Sequence, residues 1–263
     1  MAILEPFALA IAFLLSYIYD FIASYGFSIA ILTVVINVII FPLTLRQTRS
    51  TKRMQDAQSA IKALQKKHKD NKEELNKAMA AMYKEKGINP LGCILPLIVQ
   101  MPIWFALFRV LREPLSFIPG TSLLFKDLEN STSLTFFNMD LQIPPSEVSE
   151  WIERVPYLVL ILFVILTALY QQQQITKKSN NSNNPQAQQM QMIGKVMPIF
   201  FGFISWTLPT GLVVYFLTGN IFRIGQQALI VKLDDREETK KENTKNEENE
   251  QQNDNPVQEN PRK

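Results

Sequence analysis

The sequence predicts an all-α polytopic membrane protein, a bundle of five transmembrane helices with a charged helical hairpin on its cytoplasmic side. Three observations carry this expectation. Apolar and charged residues are segregated along the chain, five nearly uncharged stretches approach the length of a bilayer-spanning helix, and the charge of the segments between them alternates in sign. Whole-chain averages hide the pattern: 263 residues, 47% hydrophobic and 19% charged, would suit an ordinary soluble domain.

A helix needs about 20 predominantly apolar residues to cross the hydrocarbon core. Residues 27–45 supply the first candidate, with Asn37 the strongly polar residue inside it. Residues 91–111 supply the second, interrupted by Pro96, Gln100, Pro102 and Arg109. Residues 155–171, 193–208 and 211–231 complete the set. Leu208-Pro209-Thr210-Gly211 joins the last two by a turn that only an antiparallel pair accommodates.

Residues 1–24 are different. Glu5 and Asp20 bracket 14 uncharged residues, short for a span, which suits an interfacial or re-entrant helix better than a sixth crossing. The opening Met-Ala-Ile-Leu-Glu has no basic stretch, so no cleavable export signal is expected.

Loop charge sets the orientation, because Lys and Arg are retained on the cytoplasmic side. Residues 46–89 carry twelve Lys/Arg against five acids, and residues 113–154 carry two against seven. Lys177, Lys178 and Lys195 mark a third loop without any acid. The first loop, the third loop and the C-terminus are therefore expected in the cytoplasm, and the N-terminus outside.

The first loop reads as two helical arms, residues 46–67 and 71–86, rich in Ala, Gln, Lys, Met and Glu. Asn71 with Glu74 three residues on is an N-cap signal, and Gly87 before Pro90 is a stop signal. Ala57, Ile61 and Leu64 on one arm and Leu75, Met79 and Met82 on the other give each a narrow apolar stripe. The alternative is a solvated pair of helices that only connects two spans. Residues 113–154 mix Pro, Phe and Leu without a period, and short helical turns against the membrane surface are expected there. Residues 232–263 carry seven Lys/Arg and ten acids with many Asn and Gln, a composition that predicts a disordered cytoplasmic tail.

Chemistry is constrained by what the spans lack. None contains Asp, Glu or His, so proton relays, metal sites and intramembrane hydrolysis have no candidate residues, and neither an enzyme nor a cofactor is expected. Cys93 and His68 are the only residues of their kinds and lie apart, a poor basis for nucleophilic catalysis. What remains is uncharged polarity at depth: Asn37, Gln100, Ser205, Thr218 and Asn220, with Gln171 to Gln174 ending the third span. An amide in hydrocarbon without a partner costs several kcal/mol, so these side chains face protein or water. Spacing alone leaves two readings open, bonds between helices and the wall of a hydrated cavity. A small channel or transporter would use the same positions, and so would a membrane scaffold or chaperone.

Three blocks make the sequence specific. Phe41-Pro42-Leu43-Thr44, followed by Gln47 and the basic hairpin, resembles the YidC/Oxa/Alb family of membrane insertases. So do Asn89-Pro90-Leu91-Gly92-Cys93 running into Leu95-Pro96-Leu97-Ile98-Val99-Gln100-Met101-Pro102, and Met197-Pro198 with Leu208-Pro209-Thr210-Gly211-Leu212, Asn220 and Gln226-Gln227. The resemblance implies a five-helix core, residues 25–231, with a hydrophilic groove open to the cytoplasm and the lipid and closed outside. A nascent membrane protein would lodge its polar part in that groove while its apolar segment moves into the bilayer. The groove wall would then comprise Asn37, Gln100, Ser205, Thr218 and Asn220.

The implied location is a bacterial plasma membrane. The implied partners are nascent chains and lipid, with the Sec translocon and the ribosome as further ones, the latter through hairpin 46–89. No specific nucleic-acid recognition is implied. Two departures stand out. Many family members carry an arginine in the first span, five residues before its proline, and here that residue is Asn37. The large periplasmic domain that some members insert near the N-terminus is also not expected.

Overall fold

The computed structural model describes residues 4–69, 71–88, 95–130, 134–176 and 196–253. Two units are distinguished, Met1–Arg223 and Ile224–Lys263. Helix α1 (Glu5–Ile22) passes through left-handed Ala23 into α2 (Tyr25–Asp56), which is followed by α3 (Gln58–Lys67), α4 (Lys72–Glu85) and α5 (Leu95–Arg112). Then come α6 (Leu123–Glu129), two short strands, β1 (Thr135–Phe136) and β2 (Met139–Asp140), and helix α7 (Trp151–Thr176). An apolar helix α8 (Val196–Ser205) and the long α9 (Thr210–Asn253) close the order. The protein is an all-α membrane protein with one small hairpin. Helices α1, α2 and α7 are each long and apolar enough to cross a bilayer.

Four elements differ from the sequence expectation. The first span and the start of the first arm of the basic hairpin, residues 46–56, are one continuous helix, because α2 runs unbroken through Pro42 to Asp56, and the arm resumes as α3 after Ala57. The switch from apolar to basic residues changes the solvent around the helix, not its backbone. Second, α1 forms one 18-residue helix whose length and hydropathy suit a crossing. Ala8, Ala12, Leu15 and Tyr19 form its buried face, while Phe13, Tyr17 and Phe21 stay exposed. Third, residues 113–154 hold a β-hairpin besides the expected helical turns. Fourth, α9 runs on through residues 232–253. Glu, Lys and Gln are strong helix formers. Residues 254–263 lie outside the described residues, as do residues 89–94 and 177–195 with their sequence motifs and the Lys177, Lys178 and Lys195 cluster.

The basic hairpin has a small core of its own. Ala57, Met82 and Ile88 are buried, with Met54, Ile61 and Leu64 packed against them. Asn71 caps α4, its side-chain oxygen accepting from the backbone N–H of Glu73 and Glu74. Gly87, at φ +60°, ends the helix and lets the Ile88 N–H reach the Tyr83 carbonyl at 2.8 Å.

In the larger unit the main core joins α1, α2, α5, α6, the hairpin and the start of α9 around Leu15, Ile29, Leu32, Leu107, Leu124, Leu141 and Leu212. Ile161, Val164 and Val213 form a second cluster between α7 and α9. Outside, the helices present Ile31, Val34 and Val38 on α2, Val159, Leu162, Phe163 and Leu166 on α7, and Ile199, Phe200 and Phe203 on α8. In water such faces would aggregate; in lipid they are the solvated surface. Lipid is as apolar as leucine, so packing and interhelical hydrogen bonds hold the bundle together, not transfer of apolar surface from water.

Candidate functional site

The bundle is sealed at one end. The turn between α8 and α9 is bonded to the segment that follows β2. Gly211 N–H donates to Leu141 O at 2.8 Å, Thr210 donates to Ile143 O through both N–H (3.0 Å) and Oγ1 (2.7 Å), and Ser146 N–H donates to Trp206 O at 3.1 Å. Gly211 sits in close quarters, since a Cβ there would lie 3.0 Å from Ile29 Cδ1 and 3.3 Å from the Leu141 oxygen. Behind these bonds Leu107, Val110, Leu111, Leu212 and Val214 are buried, which makes this end dry.

Away from the seal, cover is lost on each helix. On α2 the run of buried residues Ile29, Leu32, Thr33 and Asn37 gives way to half-buried and exposed residues until Gln47. On α7 burial stops after Val164, and on α9 Gly219 and Asn220 are followed by exposed Ile221 and half-buried Phe222 and Arg223. Where cover begins to fail, Thr33 and Asn37 on α2, Thr167 on α7, and Asn220 and Arg223 on α9 stand as polar residues among apolar ones.

That polar locus is built from α2, α5 and α9. Gln100 Nε2 donates to Tyr215 Oη at 2.5 Å, tying α5 to α9. Tyr215, Gly219 and Arg223 follow one another at four-residue spacing and so share one face of α9. The space beside Gly219 is bounded by Thr33 Cγ2 on α2, 3.8 Å from where a Cβ would stand, and by Arg223 Nη2 at 4.0 Å. The guanidinium thus folds back along α9 toward Thr33. No acidic side chain pairs with it among the described residues. One turn beyond Thr33, Asn37 Nδ2 donates to the Thr33 carbonyl at 2.7 Å.

The residues singled out from the sequence therefore separate. Gln100 reaches Tyr215 on α9, whereas Asn37 bonds back to the carbonyl of Thr33 in its own helix, one turn from the point where Thr33 nears Gly219 and Arg223. Asn220 does not share their wall. One residue further round α9 than Gly219, it turns about 100° away and faces α7. There Nδ2 donates to Thr167 Oγ1 at 3.3 Å and to the Val164 carbonyl at 3.4 Å, a bond between helices. Ser205 is fully buried, its hydroxyl donating to Phe201 O in its own helix at 2.7 Å. Thr218 is half-buried on α9. Tyr215, Thr33 and Arg223 border the locus, and reasoning on uncharged polar depth passes over all three. The signal was the spacing: a lone cation, a glycine and a tyrosine on one face of an otherwise apolar run.

The sequence profile of the 60Kd inner membrane protein family matches residues 17–238. The chain is 31% identical over 237 residues to the protein called membrane protein insertase YidC in Treponema denticola, covering 87% of this chain and 38% of that one. It is 34% identical over 218 residues to the protein of that name in Pelodictyon phaeoclathratiforme, covering 82% and 35%. Over 223 residues it is 30% identical to the chloroplastic inner membrane protein ALBINO3 of Arabidopsis thaliana, covering 80% and 47%. The chain thus spans less than half the length of each of these relatives. With the profile match extending from the end of α1 past the polar locus into the distal part of α9, the chain belongs to the 60Kd inner membrane protein family, that of YidC, Oxa and Alb proteins.

Proposed function

We propose that this chain inserts membrane proteins into the bilayer by lodging their polar segments at the locus formed by Asn37, Gln100, Tyr215 and Arg223, while their apolar segments pass into lipid. One observation carries the proposal: the bundle is dry and hydrogen-bonded at one end and becomes polar and less covered toward the other. A polar segment entering from the open side exchanges water for amides, a phenol and a cation instead of hydrocarbon. That lowers a barrier of several kcal/mol for each unpartnered polar group. Transfer of the apolar segment supplies the driving force at ~25 cal/mol per Å² removed from water, so no nucleotide is needed.

The proposal extends to five spans, with the sealed end outside and the α3–α4 hairpin in the cytoplasm, as the loop charges direct. It includes Arg223 as the cation of the site. The first-span position where the resemblance implies an arginine is Asn37, and Arg223 reaches toward the same stretch of α2 from α9. The basic hairpin would serve any ribosome contact, and a Sec translocon would dock elsewhere on the chain.

The test is reconstitution. Purified protein in otherwise protein-free liposomes is expected to insert a single-span substrate with a short polar translocated segment, scored by protease protection. Insertion no faster than in empty liposomes would refute the proposal.

A further inference from the structure

The β-hairpin is oddly placed for a surface turn in water. Its two turn residues, Phe137 and Asn138, both lie in the left-handed region, at φ 48° and 63°, as a tight type I′ turn demands. Asparagine tolerates that conformation, but phenylalanine does so rarely, and the Phe137 ring is 74% exposed. In water the side chain would be disfavoured twice, by its backbone and by its exposure. The nine residues 131–139 carry no charge, although the loop around them holds seven acids.

The neighbours of the hairpin fix its level. Gly26 at the start of α2 leaves room for the Phe136 ring, which a Cβ would meet at 2.2 Å. Phe136 in turn packs edge-on against Phe27 and against Phe137, with centroids 5.1 and 4.5 Å apart. Phe27 heads the exposed stripe of α2 that continues through Ile31, Val34 and Val38. On the other side, the Asp140 N–H donates to Tyr157 Oη at 2.7 Å. Tyr157 lies six residues into α7, about 9 Å along the helix from Trp151, past exposed Trp151, Ile152 and Val155. The hairpin is therefore level with the lipid-facing residues of two helices, and an exposed ring at that level is continuous with a surface already solvated by acyl chains.

We propose that the hairpin is a membrane anchor, with Phe137 inserted at the boundary between headgroups and acyl chains of the leaflet around the sealed end. Its occupant is lipid, and its consequence is to hold the sealed end of α2 at fixed depth. This requires that α2 and α7 lie in the bilayer and does not depend on what the polar locus does.

The test uses the full chain with Cys93→Ser and Phe137→Cys, labelled with a nitroxide and reconstituted in phosphatidylglycerol–phosphatidylethanolamine liposomes. A Glu129→Cys label on exposed α6 gives the aqueous reference. Collision with oxygen is expected to exceed collision with a water-soluble nickel chelate at residue 137, and the reverse is expected at residue 129. Chelate-dominated collision at residue 137 would place the ring in water and overturn the proposal. Low access to both reagents would place it against protein and overturn it equally. Phe137→Gly, which removes the ring and relieves the turn, is expected to leave the protein folded while shifting labels near Phe27 toward the chelate. An unchanged chelate response there would count against anchoring.

Discussion

Replacing Arg223 with glutamine is expected to make the protein more thermostable and a worse insertase. Arg223 is half-buried with no acidic partner among the described residues, and a cation so placed is less favourable to the fold than a neutral side chain, so its removal relieves the fold. The same cation is the group that an acidic side chain of a translocating segment would meet. Initial insertion rates in proteoliposomes are expected to fall about tenfold for a substrate with Asp or Glu in its polar segment, corresponding to about 1.4 kcal/mol. For an uncharged segment the change should stay within about twofold, since glutamine still offers hydrogen bonds. Arg223→Lys should retain much of the acidic-substrate rate. A merely structural arginine would show the opposite combination, lower stability with no dependence on substrate charge.

The second large effect belongs to the seal. Gly211→Val adds atoms where a Cβ alone already stands 3.0 Å from Ile29 Cδ1 and 3.3 Å from Leu141 O. Ile29 can shift its terminal carbon, but the carbonyl can move only by lengthening its 2.8 Å bond to the Gly211 N–H. Overpacking and the weakened bond together should cost about 2–4 kcal/mol, read as a lower unfolding temperature in detergent. Liposomes containing the variant are also expected to leak a small trapped dye that wild-type protein retains. Gly211→Ala should cost less, because its single carbon presses on Ile29 Cδ1 and the Leu141 oxygen without the two further methyls of valine.

How far the sequence discloses this protein differs by level. Depth is legible: uncharged runs mark where helices meet lipid, and α7 covers the apolar run 155–171 with a few residues to spare at each end. Local punctuation is legible too, as at Asn71 and Gly87, where a side-chain oxygen or a positive φ is needed whatever the fold. Azimuth is not. Asn220 and Gly219 differ by one position, yet one faces α7 and the other α2, and nothing local says which neighbour stands where. Continuity is also hidden, because Pro42 and the onset of basic residues look like a boundary that the backbone of α2 does not observe. The hairpin escaped because Phe137-Asn138 lacks the usual Asn-Gly signature, its conformation being favoured by surroundings and not by propensity. Around the polar locus, polar type pointed to Asn37 and Gln100, but Tyr215, which holds Gln100, and Gly219, which lies against Thr33, look like ordinary helix filler.

The central claim is that polar substrate segments pass beside α2 and α9 at the Thr33–Gly219–Arg223 position. Cross-linking there tests it most directly. Gly219→Cys has room for its side chain, since the nearest neighbours of a Cβ are 3.8 and 4.0 Å away. With Cys93 replaced by serine, the introduced thiol can be oxidised against single cysteines placed along a stalled substrate. Disulfides are expected with positions in the polar translocating segment, and none with those positions from Phe163→Cys on the lipid face of α7. A substrate that inserts at the normal rate while its polar segment never reaches the thiol introduced in place of Gly219 would contradict the account.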